Sequence, residues 1–231
     1  MNNNTFFLSL IFILSFLTAC SSTQPTSQPA PITKGSAYGE LYQEAPRSIL
    51  ILPPINNSTD TLAKDYYLTT VEIPYALKGY YVFPVEIVSD VLKQQGIYDS
   101  SVLLNTPMDK FYEYFGADAV LFTTINKWDL AYAVVASSLT VSIDAKLIST
   151  RTNQVLWKNS KTVTIDLGGL SQTNSLEGVL IQLVVTALSS ASADYVDYAR
   201  QLNWQLVSTL PYGPYHKAYL KDQDQVLGHR H

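Results

Sequence analysis

Ser48-Ile49-Leu50-Ile51-Leu52, stopped at once by Pro53-Pro54, is the stretch that decides the fold. A short apolar run bounded in this way is a buried strand, because prolines cannot donate to a sheet ladder. Asn56-Asn57-Ser58-Thr59 then has the chemistry of a turn. Downstream, Tyr80 to Phe83 reads as a second strand feeding a helix. Pro84 sits at that helix's first turn, where a missing N–H is harmless. Val85, Val88, Val91 and Leu92 make its apolar stripe, and Gly96 ends it. Thr106 is placed to cap the next helix, with Pro107 in its first turn and Gly116 at its end. Met108, Phe111, Tyr112 and Phe115 share one face of it. Ala119 to Ile125 is again a buried strand. Strands alternating with helices in these lengths make an α/β layer.

The pattern changes after Trp128. Val141, Ile143, Ala145 and Leu147 alternate with Thr140, Ser142, Asp144 and Lys146, the period of a strand with one wet face. Arg151-Thr152-Asn153 turns the chain into a partner strand, Val155 to Leu167, with Val155, Trp157, Val163 and Ile165 expected on one face. Gly168-Gly169 breaks this hairpin. Two helices follow, Glu177 to Ala193 and Tyr195 to Val207; Tyr195, Tyr198, Ala199, Leu202 and Leu206 line one side of the second. From Pro211 the chain is Pro, Gly, Tyr and charge, the composition of a partly docked tail.

The N-terminus carries a different signal. No Lys, Arg, Asp or Glu precedes Lys34, and Phe6 to Leu17 is mostly apolar. A helix of that length rises roughly 18 Å, short of the ~30 Å hydrocarbon core, so it fits a signal-peptide h-region. Leu17-Thr18-Ala19-Cys20 resembles the lipobox of bacterial lipoproteins, with the chain's one cysteine as the acylated residue. Met1-Asn2-Asn3-Asn4 departs from the usual pattern, having only the α-amino charge where a Lys or Arg is customary. Two or three acyl chains, at ~0.8 kcal/mol per buried methylene, hold a protein where one chain is marginal. Ser21 follows the cysteine, and its resemblance to lipoprotein sorting signals implies the outer membrane. Ser21 to Ser36 reads as a tether spanning roughly 20–24 Å. The expected organisation is a signal peptide at 1–19, a lipidated tether at 20–36, one α/β domain at 37–210 and a Tyr-rich tail at 211–231. Nothing before Lys34 has core character.

Leu50 to Thr59 (LILPPINNST), Gly79 to Pro84 (GYYVFP), Phe115 to Val120 (FGADAV) and the hairpin around Leu156-Trp157-Lys158 together resemble one family. It is a family of bacterial outer-membrane lipoproteins, one of them a meningococcal surface antigen, whose members carry no assigned activity. The resemblance covers about 45–207. It implies an α/β (α+β) sandwich like the TolB N-terminal domain and the LpoB and CsgG modules: a mixed sheet with helices packed mainly on one face, including the long hairpin. It also implies a periplasmic interaction module, with a homodimer among its expected partners, and brings no catalytic residue.

Composition limits the chemistry. With 15 basic and 19 acidic side chains, net charge −4, the chain is no phosphate-neutralising nucleic-acid binder. A single cysteine excludes an intramolecular disulfide framework. His216, His229 and His231 all lie in the tail, where no rigid catalytic site is expected, and a solvated terminus outweighs a metal site there. The acids Asp65, Glu72, Glu86, Asp90, Asp109, Glu113, Asp118 and Asp129 form no recognisable pair. No cofactor motif is present. Among 16 tyrosines, Tyr212, Tyr215 and Tyr219 are candidates for an interface. So are Ile181 and Val185, which turn away from the main stripe of their helix and suit a second copy of the chain. The leading expectation is a non-catalytic scaffold in an envelope assembly. An LpoB-like regulator of a peptidoglycan synthase and an envelope hydrolase stand behind it. Cys20→Ala is expected to block acylation and leave the chain unprocessed or mislocalised. Normal processing and membrane recovery of that variant would contradict the lipobox.

Overall fold

Ser48–Ile51 forms β1, and from Ile49 through Leu52 no side chain reaches solvent. The computed structural model describes residues 30–132, 137–166 and 195–228. In it β1 lies between β3 (Tyr81–Val82) and β4 (Ala119–Tyr132) and is parallel to both. A parallel strand enclosed in this way needs apolar residues on both faces, which is why the run is continuous. Past the two prolines the chain resumes as β2 (Ile55–Asn56), pairing with β4 further along. β4, β5 (Ser137–Ser149) and β6 (Val155–Asp166) form an antiparallel meander, so the sheet is mixed, ordered β3-β1-β4-β5-β6.

The described helices are α1 (Lys34–Ala37), α2 (Gly39–Glu44), α3 (Ala63–Leu77), α4 (Val85–Gln94), α5 (Met108–Phe115) and α6 (Tyr195–Leu206). Ile49 and Ile51 share a core with Tyr67, Val71 and Tyr75 of α3 and with Leu202 and Leu206 of α6. Leu50 and Leu52 point the other way, into Val88 and Leu92 of α4 and Met108 and Phe111 of α5. Helices therefore cover both faces of the parallel half. In the hairpin half Val141, Ile143, Ala145 and Leu147 are buried while Asp144 and Lys146 are exposed, so one-sided covering describes that half alone.

Several local expectations shift. The longest described helix, α3, has no counterpart in the sequence reading. It starts without a side-chain cap, holds Pro74 inside and is rich in aromatic and β-branched residues. Pro84 and Pro107 occupy the cap positions of α4 and α5, so Thr106 lies one residue outside and makes no capping bond. β4 runs well beyond Ile125 by absorbing a bulge between Ile125 and Lys127. A second bulge pairs Leu147 with Trp157 but Ile148 with Val155. Trp157 is thus 1 % exposed and Val155 47 %, so Val155 does not share the Trp157 face. The helix expected at Glu177 to Ala193, with Ile181 and Val185, lies outside the described residues, as does Leu167.

The folded body also begins earlier than Ser36. Thr33 caps α1 in a reciprocal pair with Ser36 and bridges to Val226. Lys34 N–H donates to Gln225 O at 2.9 Å and Gly35 N–H to Gln223 O at 2.8 Å. The tail is docked along its described length. Gly213 approaches Gly79 so closely that a Cβ there would lie 2.5 Å from the Gly79 oxygen. A chain starting at residue 30 is expected to unfold in urea like the longer protein. One starting at Ala37 leaves the buried Asp222 without its cation and should lose about 3 kcal/mol. Equal stability of the two would show that the N-terminal turn is dispensable.

Candidate functional site

β1 hands the chain to α3 on one face of the sheet, whereas β3 hands it to α4 on the other. Where neighbouring strands send their connections to opposite sides, a crevice opens beyond their carboxyl ends, and open α/β sheets bind ligands there. Here it is a cleft of about 520 Å³ at the end of β1, within the usual range of ligand pockets. Pro53 and Pro54 line it without offering an N–H. One wall comes from α3 (Lys64, Asp65) and the other from α4 (Ser89, Lys93), with the 97–101 loop at the side.

Some polar groups there hold the loops in place. Asn56 Nδ2 donates to Asp60 O at 2.7 Å, and Asn56 Oδ1 accepts from Ser58 N–H at 3.1 Å. Asp99 accepts from Ser101 N–H at 2.9 Å, and this bond holds its carboxyl below the ordinary value. Other groups remain available. Among the described residues Lys64 and Asp65 form no ion pair. Lys93 meets only Asp90 at 3.7 Å, with both side chains largely in water, a contact worth little. The buried Ser89 Oγ has no hydrogen-bond partner.

A second polar cluster closes the body near Ile32. Lys34 Nζ lies 3.2 Å from Asp222 Oδ2, the two side chains being 5 % and 1 % exposed. Asp222 also accepts from Tyr42 OH at 2.9 Å and Tyr212 N–H at 3.0 Å. The Tyr212 ring lies 5.3 Å from Lys34 Nζ and 4.8 Å from Lys78 Nζ. Burial, then the nearby Lys34 charge, lowers Lys78 to a pKa of about 8, against a smaller upward pull from Asp222.

The structure separates the residues singled out from sequence. Leu17, Thr18, Ala19 and Cys20, like Ile181, Val185, His229 and His231, lie outside the described residues. Tyr212 stacks on His216 with centroids 3.9 Å apart, so its ring is used within the fold. Tyr215 is exposed and Tyr219 half-buried. His216 Nδ1 accepts from Ala218 N–H at 3.0 Å, a turn contact. Asp118 accepts from Arg47 N–H at 2.8 Å and Ser48 N–H at 3.1 Å, latching β1 to the start of β4. No group of three or more His, Cys, Asp or Glu suited to a metal occurs among the described residues. Lys34 and Asp222 escaped sequence reasoning because they lie 188 residues apart, each in a polar stretch with nothing local to mark it as buried.

The architecture is that of an α/β module with a mixed sheet. The chain belongs to the family described as "Putative lipoprotein GNA1162-like", whose model matches residues 36–214. It is 31% identical over 157 residues to "Putative lipoprotein NMB1124/NMB1162" of Neisseria meningitidis serogroup B, covering 68% of this chain and 72% of that one. The crystal structure of lipoprotein GNA1162 from Neisseria meningitidis matches with TM-score 0.50 and 32% identity, over 63% of this chain and all (100%) of that one. The Escherichia coli LpoB C-terminal domain is more distant, at TM-score 0.37 and 16% identity over 56% of this chain and 97% of that one. Among the described residues no helix is long and apolar enough to cross a membrane.

Lys78 makes the closure sensitive to pH. Its folded pKa, about 8, lies below its ordinary 10.5, so between these values the unfolded chain binds more protons and stability rises with pH. Above pH 10 the effect reverses, because burial raises Tyr67, Tyr75 and Tyr80 and favours their protonated forms. Urea titrations should show stability climbing from pH 8 to 10. Lys78→Met should be more stable at pH 7 and lack the climb. An unchanged slope in that variant would contradict the assignment.

Proposed function

We propose that the chain is a non-catalytic interaction module of the bacterial envelope, anchored in the outer membrane through acyl chains on Cys20. Membership of a lipoprotein family and the Leu17–Cys20 motif support the anchor. One observation carries the interaction reading: Ile73 and Leu77 of α3, Tyr81 of β3 and Ile87 of α4 are each more than half exposed. Tyr81 lies on β3, the outer edge of the sheet, which has no further strand beside it among the described residues. Glu72 accepts the Val85 N–H and ties α3 to the start of α4 beside that edge. Large apolar side chains left in water are the material of a surface that meets a partner. Tyr215 adds an exposed aromatic on the tail, while Ile181 and Val185 are proposed for contact with a second copy.

A photo-crosslinking residue placed at Leu77 or Tyr81 in living bacteria should yield a discrete adduct, absent when the same probe stands at the exposed Lys158. An adduct with another envelope protein or with a second copy supports the reading. No adduct from either position contradicts it.

A further inference from the structure

We propose that the crevice at the carboxyl end of β1 binds a short peptide with free termini, a zwitterion whose ammonium group meets Asp65 and whose carboxylate meets Lys93 and Ser89. Charge is the first argument. The side chains lining the cleft include Lys64, Lys93, Asp65 and Asp99, whose formal charges cancel. A simple anion would meet as much repulsion as attraction there, and so would a simple cation. A ligand carrying both signs at a separation can meet an acid and a base of the lining at once.

The distribution of unused groups is the second argument. Asp99 already accepts the Ser101 N–H and Asn56 holds its own turn, so both have a role within the loops. Among the described residues Asp65 on the α3 wall has no cation, and Lys93 on the α4 wall has only the long, solvated contact with Asp90. Ser89 Oγ is buried without a partner beside Lys93 on the same helix. A buried hydroxyl left unbonded is unfavourable, and rotation about its χ1 lets it donate to a ligand carboxylate. Leu68, Leu92, Ile97 and Tyr98 supply apolar lining for the body of the peptide, as ligand clefts generally do. The ionic contacts face solvent, so the expected dissociation constant is on the order of 0.1–1 mM. The site is separate from the partner surface at the sheet edge and stands or falls independently of it.

The probe is tri-alanine with free termini, titrated into the full chain in detergent and followed by saturation-transfer NMR. The expected result is saturable binding, roughly tenfold weaker for the acetylated and amidated tripeptide. Asp65→Asn and Lys93→Ala should each weaken the free peptide roughly threefold or more while leaving the capped one unchanged. Ser89→Ala removes a single oxygen, keeps the fold and should weaken the free peptide as well. Lys158→Ala should change neither. The proposal is overturned if tri-alanine shows no saturable binding up to about 20 mM, well above the expected constant. It is equally overturned if free and capped peptides bind alike, or if acetate displaces the peptide at equal concentration, which would make the cleft a plain anion site.

Discussion

The two-sided burial of β1 is the constraint from which the rest of the structure follows. A strand with Ile49 and Ile51 on one face and Leu50 and Leu52 on the other is stable only if both faces are covered. The crossover from β1 to β3 supplies one cover through α3, and the crossover from β3 to β4 supplies the other through α4 and α5. The register is pinned at the start by the Asp118 carboxylate, which accepts from Ser48 N–H and Oγ–H. At the far end Leu52 N–H donates to Leu121 O at 3.2 Å before the prolines interrupt the ladder. That interruption, with β3 only two residues long, leaves the crevice open between α3 and α4.

The closure around Lys34 and Asp222 serves a different purpose. A buried ion pair adds little net stability over an apolar pair, but stranding one of its charges is strongly unfavourable. It therefore fixes where the folded body begins. The family match, residues 36–214, stops short of both partners.

Legibility in the sequence followed locality. Ser48–Leu52 was readable because four consecutive apolar residues ending in two prolines admit few alternatives. The hairpin was readable because Val141 to Leu147 alternates strictly, and only Val155 of its far strand was put on the wrong face, by a bulge at Leu156 that no local pattern announces. α3 was hidden because Tyr66-Tyr67, Thr69-Thr70-Val71 and Pro74 all disfavour a helix, and tertiary packing of Tyr67, Val71 and Tyr75 overrides them. Asn203, buried against Thr70 with Nδ2 to Oγ1 at 2.9 Å, was hidden for the same reason. The cleft was not legible at all. Its walls come from segments that only the crossovers bring together, and Lys64, Ser89 and Lys93 individually look like ordinary surface residues.

Native-state hydrogen exchange at the Leu52 amide tests the central claim most directly. If β1 organises both layers, this amide opens only with the whole body, so its exchange free energy equals the global unfolding free energy measured in urea. α4 and α5 should be unable to outlast it. Exchange at Leu52 through a lower-energy opening, with Ile143 and Leu147 still protected, would contradict the account. The hairpin would then be the organising unit, and β1 a strand added to it.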